Sequence, residues 1–245
     1  MVRSKSWLMM PKPLSKQLEH TCEFCKRGFH QELNLINHNC EKKRRWFNRE
    51  EPASRLAFMA WARFYELNSR FVKSGGKKQS FREFMDSKYY AAFIRFARQV
   101  IDLNALEPAK FIDYVIKNNL PLDKWCHDIV YENYVGDLVK HETPESAMAR
   151  TIQLMKTWSE QANEPWTDFF KKVSPVQAAA WVKHGRISPW VLYNADSAMD
   201  LFERCGEEQL AMITTHAKRP QWKIKFGQNQ ESTTWIRTTL KEAGL

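Results

Sequence analysis

From Pro52 to the C-terminus, apolar positions recur with a helical period. In "PASRLAFMAWARFYELNSRF", Leu56, Ala60, Phe64, Leu67 and Phe71 return at three- and four-residue intervals, one stripe of a helix. "SGGKKQ" then interrupts the pattern, and Ser80 with Glu83 has the spacing of a capping box opening the helical "FREFM". "SKYYAAFIRFARQVIDL" places Tyr89, Phe93, Phe96 and Val100 on one face. Pro108, Pro121 and Pro144 stand where a first helical turn tolerates a missing N–H, and Thr143 precedes the last as a cap. "SPVQAAAWVKHGRISPWVLYNADSAMDLFERCG" and "ESTTWIRTTLKEAG" continue the helical reading, and only "PQWKIKF" at 220–226 alternates like a short strand. The pattern predicts a mainly α protein, with residues 51–245 forming an all-helical domain of about eight to ten helices.

Two shorter regions precede this body. Residues 1–20 read as an irregular arm, and residues 21–50 hold a Cys/His unit followed by the basic run "EKKRRWFNREE". No internal repeat and no low-complexity tract occurs, and no apolar run approaches the ~18 residues that would span a bilayer. The N-terminal apolar patch, "WLMM", is shorter than a secretory signal requires. Apolar content of 43% with 15 Phe, 10 Trp and 7 Tyr implies a packed core. Five cysteines, three of them clustered, suit a reducing compartment and a metal better than a disulfide framework. A cytoplasmic location is expected.

Charge adds a partner to the picture. The chain carries a net +10, and residues 1–51 hold 11 Lys/Arg against 6 Asp/Glu, half of that excess. Positive charge beside a metal motif points to an anionic partner, nucleic acid above all. The plainer reading is a solvated basic surface that keeps the protein dispersed.

The metal motif is Cys22-x2-Cys25-x12-His38-x-Cys40. Zn2+ takes four tetrahedral sulfur or nitrogen donors, and a two-residue gap lets one tight turn present both thiolates. Phe29 follows Cys25 by four residues, Leu35 follows Phe29 by six, and His38 follows Leu35 by three. This pattern resembles the C2H2-type zinc finger, in a C2HC form. The resemblance implies a ββα unit with Phe29 and Leu35 as its miniature core and zinc as its source of stability. The family separates its last two ligands by three to five residues, whereas only Asn39 lies between His38 and Cys40. Positions i and i+2 point about 200° apart on a helix, so Cys40 reaches the ion only where the helix loosens or ends near Asn39. His20 and His30 are alternative donors, and ordinary buried thiols are the plainer alternative.

In the resembled family bases are read just before the helix and at its third and sixth residues. Those positions fall on Gln31, Asn34 and Asn37, three amides able to pair with adenine. Lys26, Arg27, Lys42, Lys43, Arg44 and Arg45 flank them as phosphate contacts, and replacing the last four with Ala is expected to weaken nucleic-acid binding at least tenfold. Single fingers also bind proteins, so a docking role competes with base reading.

Other constellations are less specific. "SPVQAAAWVKHGRISPWVLYN" at 174–194 has the outline of a helix-turn-helix, with Lys183, Arg186 and Trp190 as weaker candidate contacts, although an ordinary helical corner makes the same pattern and is favoured. Cys126, His127 and Asp128 adjoin, but neighbouring helical residues diverge by about 100°, so a buried cysteine and a surface histidine are favoured over a catalytic pair. Glu132, Asp137 and Glu142 read as a solvated acidic face. Tyr89 and Tyr90, near Arg95 and Arg98, are the best stacking candidates among aromatics that mostly read as core. No phosphate-binding glycine loop, G-x-S-x-G or HExxH is present.

Residues 1–75, through "CEKKRRWFNREE" and the aromatic helix after it, also resemble uncharacterised zinc-finger proteins encoded by large tailed bacteriophages. That resemblance implies a phage source and no particular activity. The combined expectation is a non-catalytic, zinc-dependent nucleic-acid-binding accessory factor in replication, repair or transcription, with DNA favoured over RNA. The rival is an adaptor or structural component whose finger docks on a replication, transcription or virion protein.

Overall fold

The structure, a computed structural model, describes residues 19–67 and 79–245. Most of the N-terminal arm, Phe71 and the two glycines of the "SGGKKQ" break lie outside the described residues.

The chain begins with a two-stranded antiparallel hairpin, β1 (His20–Thr21) and β2 (Gly28–Phe29), with His20 opposite Phe29. Two short helices follow, α1 (Glu32–Ile36) and α2 (Glu41–Phe47). The body runs through α3 (Pro52–Leu67), α4 (Phe81–Asp86), α5 (Tyr90–Asp102), α6 (Pro108–Lys117), α7 (Asp128–His141) and α8 (Pro144–Ala162). It continues through α9 (Phe169–Lys172), α10 (Pro175–Lys183), α11 (Pro189–Leu192), α12 (Ala198–Arg204), α13 (Glu207–His216), α14 (Arg219–Gln228) and α15 (Gln230–Glu242). The fold is mainly α, with a small hairpin and Cys/His cluster at its N-terminal end.

The caps lie where the sequence places them. Ser80 Oγ accepts from the Glu83 N–H at 3.3 Å while Glu83 Oε2 accepts from the Ser80 N–H at 2.9 Å, a reciprocal capping box. Thr143 Oγ1 accepts from the Ser146 N–H, and Pro108 and Pro144 occupy first turns. Pro121 opens a 3-10 turn, Leu122–Lys124, and no α-helix.

Packing falls into two zones of one continuous buried cluster. In the first, α3 crosses α5 and α6 around Trp125, and α4 covers their ends. In the second, α8 packs on α11 and α15, α10 on α13, and α9 on α12. Ala57, Ala60 and Trp61 line the buried stripe of α3; Phe93, Phe96 and Val100 line that of α5. Tyr89 departs from its expected face and stands exposed at the start of α5.

Two expectations require correction. Residues 220–226 are helical, not a strand: Trp222 and Phe226, four apart, satisfy the period of a helix as well as alternation, and both rings close on Trp190, at 5.7 and 5.2 Å. The body also holds thirteen α-helices among the described residues, more than expected, because turns divide the second half into elements as short as four residues.

Gly185 makes the sharpest of these turns. Its φ of +69° is left-handed, and a Cβ there would lie 2.7 Å from Val135 Cγ1 and 3.1 Å from Leu106 Cδ1. Gly185→Ala combines backbone strain with a clash against a packed wall and is expected to cost about 2–3 kcal/mol. An unchanged urea midpoint for that variant contradicts this account.

Candidate metal centre

A tight turn builds the first half of the site. The Cys22 carbonyl accepts from the Lys26 N–H and the Cys22 N–H donates to the Arg27 carbonyl, both at 2.9 Å, with Lys26 in the left-handed region at φ 61°. The turn brings Cys22 and Cys25 to one side of the hairpin. Cys22 is buried, at 3% exposure, and the other three donors are half-buried.

The second half depends on where α1 stops. It ends at Ile36, Asn37 closes it, and His38 leaves the helical path. Cys40 is then the extended N-cap of α2, φ −91° and ψ 160°, and its Sγ accepts from the Lys43 N–H at 3.4 Å. The short His38–Cys40 spacing is therefore served by a break between two helices, and no single helix has to present both donors.

Together Cys22, Cys25, His38 and Cys40 place one donor atom each within 4.8 Å of one another, and Cys25 Sγ lies 3.2 Å from His38 Nε2. Tetrahedral zinc with bonds of 2.0–2.3 Å separates its donors by roughly 3.7 Å. The cluster fits such an ion, and four protein donors leave no position open for water or substrate, the signature of a structural site. The Phe29 ring sits 4.8 Å from the His38 ring and orients it. His20 and His30 are outside the donor group.

Proton balance favours a cation here. Burial pushes the Cys22 thiol up, but hydrogen bonds from the Cys25 and Phe24 backbone and from the Cys25 and Cys40 side chains outweigh it, and its pKa falls below the ordinary thiol value. The backbone of Arg27 favours the Cys25 thiolate, yet burial and the neighbouring thiols prevail and push that pKa up. Crowded thiols resist ionising together, and a divalent ion removes the conflict by neutralising them.

No family model, curated protein or solved structure matches the chain.

The metal unit is packed onto the body. Arg45 donates to the Met85 carbonyl at 2.6 Å, pairs with Glu41, and places its guanidinium 4.1 Å from the Tyr90 ring centroid. Lys42 pairs with Asp86 at 2.6 Å. The Trp46 ring, 6.3 Å from those of Phe24 and Phe81, receives the Arg82 and Arg49 guanidiniums at 5.3 and 4.9 Å. Sequence reading missed Trp46 and Arg82, because nothing in linear order pairs a helix at 41–47 with one at 81–86.

This docking gives three cations of the basic run partners within the protein. Lys42 and Arg45 hold α4 and α5, and Lys43 Nζ donates to the His38 carbonyl at 3.3 Å. Of the four cations, Arg44 alone has no partner among the described residues. Lys26 and Arg27 are exposed without a carboxylate partner among the described residues, with Arg27 5.6 Å over Phe29. Gln31, Asn34 and Asn37 are exposed at the start, middle and end of α1. That helix has five residues, about 7.5 Å, and it also exposes Leu33 (64%) and Ile36 (62%).

The weaker candidates do not converge on a surface. α11 has four residues, all buried, and Trp190 is 1% exposed, so neither the helix nor the indole can enter a groove. Lys183 pairs with Glu132 at 2.9 Å and Arg186 donates to the Asn104 carbonyl at 2.6 Å. Glu142 is not solvated: its side chain is 3% exposed, pairs with Arg150 at 2.5 Å and accepts from Ser188 Oγ at 2.6 Å. Cys126 is half-buried, and burial pushes its thiol up, the wrong direction for a nucleophile.

Proposed function

We propose that the protein is a zinc-dependent nucleic-acid-binding accessory factor, non-catalytic, with DNA favoured over RNA as its ligand and replication, repair or transcription as its setting. The observation that carries this reading is the group of exposed cations around the metal centre, Lys26, Arg27 and Arg44, none with a carboxylate partner among the described residues. A closed donor set holds this group in fixed relation to the amides of α1. Phosphate contact then supplies affinity, and Gln31, Asn34 and Asn37 supply such base preference as a five-residue helix allows. The phage source rests on the resemblance of residues 1–75 alone.

A second reading is favoured by one observation. Leu33 and Ile36, one turn apart on α1, are both largely exposed, which suits a metal unit that docks on a replication, transcription or virion protein.

Salt titration separates the two. Lys26→Ala/Arg27→Ala/Arg44→Ala is expected to bind an oligonucleotide of about 30 residues at least tenfold more weakly, with the log–log salt slope reduced by about 2–3 and zinc content unchanged. Equal affinity and slope for variant and parent sink the nucleic-acid reading and favour the docking one.

A further inference from the structure

Three of the open grooves formed by the described residues are of roughly equal size, and they differ in charge. The groove of about 840 Å3 beside α7 includes Glu132 and Asp137, and the groove of about 740 Å3 beside α5 includes Glu41, Asp102 and Asp128. The third, about 780 Å3 between α14 and α15, is lined by Arg219, Lys223 and Arg237 and by no carboxylate among the described residues.

Its construction is regular. Arg219, Lys223 and Gly227 follow one another at four-residue intervals along one face of α14. Gly227 leaves that row open at its end, since a Cβ there would meet nothing within 4 Å. Across the groove, α15 contributes Gln230, Thr234 and Arg237, two neutral hydrogen-bonding groups and a third cation.

The two arginines are held but not neutralised. Arg237 Nε donates to Asn194 Oδ1 at 2.8 Å, and Asn194 is itself buried, with its Nδ2 on the Trp190 carbonyl at 2.8 Å. One edge of the guanidinium is thus anchored while both terminal nitrogens keep their donors free. The Arg219 guanidinium lies 6.0 Å over the Tyr193 ring, which stacks on Phe202 and donates its hydroxyl to the Ala217 carbonyl. Neither Arg219, Lys223 nor Arg237 has an acidic partner among the described residues, in contrast to Arg63, Lys172 and Lys183 elsewhere. Bringing three like charges together is unfavourable by itself, and an anionic ligand offsets it. Two forked donors and a lysine match phosphate oxygens. The Arg219–Gly227 row spans about 12 Å, longer than one phosphate needs.

We propose that the groove between α14 and α15 is a phosphate-binding site that takes the backbone of bound nucleic acid, a second contact remote in sequence from the metal centre. This rests on the nucleic-acid reading above and deepens it. The Tyr193 ring is covered by Phe202 and Arg219, so the site grips phosphates and does not stack bases.

The test uses the full zinc-loaded chain and Arg219→Gln/Lys223→Gln, which leaves the Arg237–Asn194 anchor in place. Thermal unfolding establishes that the variant folds as the parent does. Binding is measured by anisotropy for a DNA of about 30 nucleotides, and by calorimetry for tripolyphosphate as the free-phosphate probe. At least tenfold weaker DNA binding and a salt slope lower by about 2, with the metal-centre contribution retained, is the expected result. DNA binding by the intact chain that the double variant leaves unchanged overturns the groove alone. Tripolyphosphate binding lost in the variant, with no DNA binding by the intact chain, overturns both this occupant and the nucleic-acid reading.

Discussion

Cys22→Ser is expected to lower zinc affinity by two to three orders of magnitude and to release the N-terminal unit from its fixed position. Structural zinc contributes about 10–16 kcal/mol in finger-like units, so losing one of four ligands removes roughly a quarter of it. Cys22 is the buried donor, and its backbone closes the turn through Lys26 and Arg27, so the hairpin has little else to hold it. A unit of this size cannot bury enough apolar surface to order itself. The effect extends beyond the hairpin because Cys40 is both a donor and the N-cap of α2. Without the ion, α2 loses its fixed start, and the Arg45, Lys42 and Trp46 contacts to α4 and α5 loosen with it. Metal content by elemental analysis and hydrogen exchange over residues 20–47 read both parts. Stoichiometric zinc in the variant, or exchange protection equal to the parent's, contradicts this account.

Trp125→Ala is expected to destabilise the helical body by about 3–5 kcal/mol, a fall in melting temperature of roughly 10 °C. The indole is 1% exposed and is ringed by Phe64, Phe93 and Phe96 at centroid distances of 6.0, 5.6 and 5.1 Å. Its Nε1 also donates to the Leu120 carbonyl at 2.9 Å, so truncation leaves both a cavity and an unpaired acceptor. Trp125→Phe keeps much of the ring contact and loses only the bond, and is expected to cost about 1–2 kcal/mol. Urea unfolding distinguishes the two; equal losses would show that the cavity contributes nothing.

The metal-ion and helix-body variants separate two sources of order. A metal ion held by the Cys/His cluster would organise residues 20–47 through coordination, while α3 onward is organised by aromatic packing. Chelation is therefore expected to leave the Trp125 cluster intact, and Trp125→Ala to leave the four donors together.

Much of the local structure was legible because it depends on short-range chemistry. The capping box of Ser80 and Glu83 and the Thr143 cap follow from side chains acting within four residues of themselves. The metal cluster was legible for the same reason: Cys22, Cys25, His38 and Cys40 lie within 19 consecutive residues, and donor chemistry limits their partners. Even the condition on α1, that it loosen or end near Asn39, came from the geometry of a helix turn.

The tertiary structure decided what each charge is used for. Lys42 and Arg45 look like phosphate contacts beside a finger, but Asp86, Met85 and Tyr90 arrive from about 40 residues away and engage them. Trp190 and Glu142 look available and are buried, while Arg219, Lys223 and Arg237 have no local motif and share one acid-free groove. Sequence therefore determined the elements, their caps and the metal donors, because those obey periodicity and bonding rules over a few residues. Which cations remain free was settled only by packing, because neutralisation depends on distance in space, and pairs such as Lys42–Asp86, Arg63–Asp113 and Lys183–Glu132 join residues far apart in the chain.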